Sequence, residues 1–170
     1  MQEALRRFLA ARFGRVSWER VLSGPGLPGI HGFLAATGRG ELPRRVRDRL
    51  AAEDPAAAIA DEALRGEDAT CGAALDLFAR VYGAQAGNLA LTALATGGLY
   101  PAGGIAPKIL PKLREEGFLR AFRDKGRLAG LLADVPVRVV LDPKTALYGA
   151  GRVAARRAAG RRDPKRVRAT

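Results

Sequence analysis

The sequence predicts an α/β domain, mostly helical with a small sheet. Three observations carry this. The chain has 170 residues, enough for one domain with a buried core, and is 48% hydrophobic against 27% charged. Residues 99–159 alternate short extended apolar runs with helical patterns, in the order β-turn-α-(α)-β-turn-α. The first hundred residues are helical in pattern almost throughout and offer little for those strands to pair with.

Taken in order, Leu5, Phe8, Leu9 and Phe13 share one stripe of a helix over residues 3–13, with Arg6, Arg7 and Arg12 outside it. Gly14 stops that helix. Ser17 caps a short helix carrying Glu19 and Val21. SGPGLPG (23–29) reads as a Gly/Pro loop, and a helix from about Ile30 to Ala36 follows until TGRGELP breaks it. Asp54 before Pro55 starts another helix, because Asp accepts from the open amides and Pro suits the first helical position; it runs to Gly66. The longest pattern covers about Asp68 to Ala95. Ala74, Leu75, Phe78, Val81, Tyr82, Ala86 and Leu89 recur there at helical spacing, the mark of a buried central helix, and TGG (96–98) ends it.

Residues 99–102 read as a strand, followed by the Gly103–Gly104 turn and a helix from Pro107. Residues 117–135 read as short helices. PVRVVL (136–141) is a second strand, with Val137, Val139 and Leu141 on one side and Val140 on the other. A last helix spans about Thr145–Ala159. Two strands alone are marginal, so more strands are expected in sequence not present here.

Composition excludes several classes. A single cysteine, Cys71, cannot form an internal disulfide and fits a reducing, cytoplasmic setting. With one Cys and one His, a zinc site of four Cys and His ligands is excluded, and His31 reads as a surface residue. No run of 18 uncharged apolar residues exists, and the N-terminus lacks the unbroken apolar core of a signal peptide. The net charge is +12, of which +7 falls in residues 152–170. That basic stretch has no aromatic residue on which bases could stack, so it reads as a solvated end, disordered over residues 160–170, rather than as a nucleic-acid interface. A weak phosphate-binding arm is the alternative.

Two glycines where a strand hands over to a helix let backbone approach a flat ligand, since no Cβ intervenes. The ends of strands are where open α/β sheets bind ligands, and the amides opening the next helix favour negative charge. Gly-Gly turns are nonetheless common in ordinary loops.

The wider context is more specific. VSWERVLSGPGL (16–27) and GNLALTALATGGLYPAGGIAPKIL (87–110) resemble, in order, two blocks of the C-terminal half of the bacterial glucokinases, ATP-dependent hexose kinases of the hexokinase/actin-like superfamily. GFLRAFRDKGRL and VPVRVVLDPKTALYGAG are similar to the segments that follow. The resemblance covers about residues 3–155. It implies a partial actin-like ATPase (ribonuclease H-like) large domain over residues 1–159, without the N-terminal domain.

By resemblance, Glu19 is the sugar-contacting carboxylate. A carboxylate suits that task because it accepts two adjacent hydroxyls. Read from the residues alone, it is a first-turn Glu favoured by the helix dipole. Gly103 and Gly104 fall in the adenosine motif, against adenine and ribose. Ser23 and Gly24 line the cleft near sugar or nucleotide, or are an ordinary loop. ALYGAGRVAA (146–155) resembles the helix that crosses between the two domains, where Gly149 and Gly151 permit close packing. The implied ligands are glucose and ATP with Mg²⁺, and the family is often dimeric, which allows a homodimer.

Phosphorylating a sugar also needs a base for the attacking hydroxyl and a turn that grips phosphate. The family carries these near its N-terminus, as a D-x-G-G-T-like turn and an Asn-Asp pair, and a G-E-G-G-H segment just before the stretch matched here adds another Glu and a His for glucose. None stands in this sequence, and SGPGLPG has no Asp and no hydroxyl after its glycines. The expectation is the C-terminal portion of a glucokinase, inactive alone, with no catalytic residue of its own. The alternative is a non-catalytic sugar- or nucleotide-sensing module.

Overall fold

The computed structural model describes residues 1–38 and 43–160. The expected disordered tail lies, from residue 161 onward, outside the described residues.

One long helix organises the body. α6 (Ala69–Thr92) starts where Asp68 accepts a hydrogen bond from the Cys71 amide at 2.6 Å. It buries residues around most of its circumference, among them Ala74, Leu75, Phe78, Val81 and Ala86. Tyr82 is half-buried. Leu89, expected in the buried stripe, is 55% exposed, because the helices around α6 leave that side of its last turns open.

Of the three N-terminal helices, the third packs on α6 and the first two pack on the third. α1 (Gln2–Phe13) buries Leu5 and Leu9 and ends at Gly14, whose φ of 69° suits glycine. Phe13 leaves the expected stripe and is exposed, with the Arg20 guanidinium 4.4 Å above its ring. α2 (Trp18–Val21) is a single turn, capped as expected by Ser17. α3 (Gly26–Ala36) begins four residues earlier than the Gly/Pro reading placed it. Pro25 precedes its first residue and Pro28 lies in its first turn, where the missing N–H costs nothing, so the prolines open this helix. A Cβ on Gly26 would lie inside the Val21 carbonyl, so glycine is what lets α2 and α3 fold tightly together.

α4 (Arg44–Ala52) and α5 (Pro55–Arg65) form the next pair. α5 has both expected ends: Asp54 accepts from the Ala56 amide at 3.1 Å, and Gly66 closes it at φ 70°, ψ 20°. α4 has no counterpart in the sequence reading. Its one buried residue is Val46. It is tied to α5 by Arg45 and Arg49, which both pair with Glu62, a carboxylate with no exposed surface.

After α6 the chain extends and then turns through α7 (Ile105–Lys108) and α8 (Leu110–Leu113), the first starting two residues before Pro107. α9 (Glu116–Arg123) packs along α6, where Cβ atoms on Gly83 and Gly87 would collide with the carbonyls of Phe118 and Phe122. A 3₁₀ turn at Gly126–Leu128 and α10 (Ala129–Ala133) follow.

The expected sheet shrinks to one parallel bridge among the described residues, Leu99 to Val137. Its pairing is real: Leu99 N–H donates to Pro136 O at 2.8 Å, Arg138 N–H to Leu99 O at 3.0 Å, and Val140 N–H to Pro101 O at 2.9 Å. Two short runs with no further neighbour cannot extend it. The expected facing holds, since Val137, Val139 and Leu141 line one concavity with Leu113 and Phe118. α11 (Thr145–Gly160) ends the described chain.

His31 contradicts its surface reading. It lies in α3 at 5% exposure, and burial lowers its pKa against the opposing pull of the Asp68 carboxylate. Cys71 is also fully buried. Burial first, then the hydrogen bond and charge of Asp68, push its thiol up to about 12, which makes it unreactive as a nucleophile.

Candidate functional site

Two separate stretches of chain converge on one cavity of about 210 Å³. The first is the Ser23–Gly24 turn between α2 and α3, closed by a hydrogen bond from Gly26 N–H to Ser23 O at 3.1 Å. The second is the turn between the bridged segment and α7. Gly104 from this turn, and Ile105, Lys108 and Ile109 behind it, line the cavity. Leu27, Leu75 and Phe78 form an apolar floor, and Asp54, Ala56, Ala57 and Ala60 of the α5 end form a wall.

The two glycines form an open bend. Gly103 sits at φ +98°, where side chains other than glycine are strained. Cβ atoms built on Gly103 or Gly104 meet nothing within 4 Å. Open space in front of a side-chain-free bend is a cradle that a larger residue would fill. Both glycines are exposed rather than packed under neighbours. The geometry fits the flat face of a purine nucleoside.

Magnesium has no such fit here. It takes hard oxygen ligands, commonly one or two carboxylates plus phosphate oxygens. The one carboxylate lining the cavity, Asp54, is engaged as the cap of α5.

The structure brings together Ser23, Gly24 and Gly104 and sets Gly103 beside them. It does not bring Glu19 to that cavity. Glu19 lies on α2, exposed, with no hydrogen-bond or ion-pair partner among the described residues. A larger concavity of about 640 Å³ opens between α1 and α2, lined by Arg6, Arg15, Ser17 and Trp18, and Glu19 does not line that one either.

Sequence reasoning missed Lys108. It is the one cationic side chain lining the 210 Å³ cavity, and it pairs with no carboxylate among the described residues. Its signal was present: Lys108 follows Gly104 by four residues, so a helix opening at the turn returns it to the same face. Asp54 is legible in the sequence as a cap, and it also forms part of the wall.

The helical body thus presents an open glycine bend, a cation one turn further on and an apolar floor around one cavity. The family model described as Glucokinase matches residues 1–157, and the chain belongs to the glucokinase family. It is 47% identical over 153 residues to a glucokinase of Nostoc sp., covering 84% of this chain and 45% of that protein. It is 43% identical over 157 residues to one of Synechocystis sp., covering 84% and 43%. A glucokinase of Chromobacterium violaceum is 40% identical over 163 residues, covering 96% and 44%. The crystal structure of a glucokinase from an Antarctic psychrotroph superposes with a TM-score of 0.75 at 32% identity, over 91% of this chain and 45% of that one. The chain thus spans less than half the length of the relatives it matches. Among the described residues no helix is long and apolar enough to cross a membrane.

Proposed function

We propose that this chain is the nucleotide-cradling portion of an ATP-dependent glucose kinase. Adenosine lies on the Gly103–Gly104 bend over the floor of Leu27, Leu75 and Phe78. Lys108 faces the polyanionic end of the nucleotide. Glu19, exposed on α2 and outside the lining of the cavity, accepts hydrogen bonds from sugar hydroxyls. The turn that grips the phosphates, the base for the 6-hydroxyl and the ligands of Mg²⁺ come from sequence outside these 170 residues. The 170 residues alone therefore bind without transferring phosphate.

The observation that supports this reading is the convergence of Ser23–Gly24 with Gly104. These residues come from two sequence blocks about eighty positions apart, and both blocks resemble the family. They meet at one cavity.

Calorimetric titration with a non-hydrolysable ATP analogue tests it. Binding by the parent chain, and its loss in Gly104→Val, are the expected results. Retained binding in Gly104→Val sinks the cradle. Production of glucose 6-phosphate from glucose, ATP and Mg²⁺ by the purified chain sinks the division of labour. Tight glucose binding without nucleotide turns the reading towards a sensing module.

A further inference from the structure

Three potential metal ligands from separate places in the sequence meet in the core. His31 belongs to α3, Asp68 is the N-cap of α6, and Cys71 lies in the first turn of α6. One ligand atom from each lies within 4.8 Å of the other two. Their exposures are 5%, 7% and 0%. No other group of three or more His, Cys, Asp or Glu side chains is arranged this way among the described residues.

Asp68 Oδ1 accepts the Cys71 amide at 2.6 Å, and the carboxylate also takes a hydrogen bond from the Cys71 side chain. One atom of the cluster is left unsatisfied by the protein. His31 Nε2 is buried with no hydrogen-bond partner. Buried polar side-chain atoms are normally paired, and an unpaired one on a histidine grouped with a thiol and a carboxylate asks for a ligand.

We propose that His31, Asp68 and Cys71 bind a borderline-soft divalent cation, Zn²⁺ foremost, which clamps α3 onto the start of α6. Imidazole nitrogen, carboxylate oxygen and thiolate sulfur are the donors zinc takes, and a water fills the fourth position. Counting only Cys and His excludes a four-ligand site; a carboxylate in the set evades that count. Binding releases the thiol proton to solvent. The ion, one thiolate and one carboxylate then sum to zero charge, as a buried site requires.

The clamp bears on the cavity. His31 lies one helical turn from Leu27, and Cys71 one turn from Leu75, and both leucines form the cavity floor. The ion fixes the floor from behind and touches nothing bound in front. The site is structural, distinct from the nucleotide cradle, and its test is independent of that proposal.

The untagged chain, stripped with chelator under reducing conditions, is titrated with Co²⁺ as an optical probe and then with Zn²⁺. One equivalent of Co²⁺ is expected to give a near-ultraviolet thiolate-to-metal band that Zn²⁺ displaces. Zn²⁺ is expected to raise Tm, and EDTA to reverse the rise. Cys71→Ser abolishes the band, and His31→Gln weakens Zn²⁺ binding at least about tenfold. Asp68→Asn keeps a capping side chain and still lowers affinity, which separates ligation from capping. Absence of the band in the unaltered chain overturns the proposal, whatever the variants do. So does a Zn²⁺ affinity that folded His31→Gln leaves unchanged.

Discussion

The two longest helices are opposites. α6 is wrapped by α3, α5, α8, α9 and α10 and buries twelve of its residues. α11 carries apolar residues at helical spacing too, yet every residue from Thr145 to Ala159 is exposed, including Leu147 at 68%, Tyr148 at 55% and Val153 at 50%. Cβ atoms on Gly149 and Gly151, expected to permit close packing, meet nothing within 4 Å. An apolar stripe says that a helix wants a partner; only the rest of the structure says whether the partner is there. The body of this chain holds its own partners, and α11 points its stripe outward.

If that contrast is sound, substitutions around α6 destabilise the 170-residue chain most. Phe122 of α9 is fully buried against the Gly83–Gly87 face of α6. Phe122→Ala should cost about 3–5 kcal/mol, read from the urea midpoint at unchanged m-value. A loss under about 1 kcal/mol would show that α9 does not share the core of α6.

Next comes the α4–α5 contact, which rests on charge. Glu62 is fully buried, and Arg45 pairs with it at 2.8 Å while remaining half-exposed. Glu62→Gln keeps the shape and removes the charge. It should cost about 1–3 kcal/mol, because charge-assisted hydrogen bonds are lost but both guanidiniums can turn to water. Smaller again are the ends of α5. Gly66→Ala places a Cβ at φ 70°, and Asp54→Ala removes a cap; each should cost about 1 kcal/mol by the same denaturation measurement. Equal losses at Phe122 and Gly66 would erase the ranking of core over periphery.

What the sequence disclosed follows the same line. α5, α6 and α11 were visible because caps and a 3.6 period are local signals, and Ser17, Asp54, Gly14 and Gly66 sit where those signals put them. α4 was invisible because RRVRDRLAA has two large apolar residues, and its hold on α5 is made of ion pairs to a residue thirteen and more positions away. His31 was misplaced because nothing local distinguishes a buried histidine from a surface one; the α6 terminus that covers it comes almost forty residues later. In the site, the glycines were readable from chain chemistry and Lys108 only from its spacing. The bridge of Leu99 to Val137 was overread as two strands, since β patterning speaks for an edge's readiness to pair and not for the presence of neighbours.

The smallest expected effect breaks or sharpens the opening contrast most directly. Leu147→Ala with Tyr148→Ala removes two large apolar side chains, and in a packed helix such a pair would cost several kcal/mol. On α11 both are more than half exposed, so no cavity forms and little area returns to water. The change in unfolding free energy should stay within about 0.5 kcal/mol. The same double substitution belongs in a chain of the length of the relatives, twice as long as this one. A loss there of several kcal/mol, or failure of the halves to associate when mixed, would mean that α11 is a docking element whose face is written in this sequence and whose partner is not. If both lengths tolerate the substitution equally, the apolar residues of α11 are surface residues and the stripe has no partner to find.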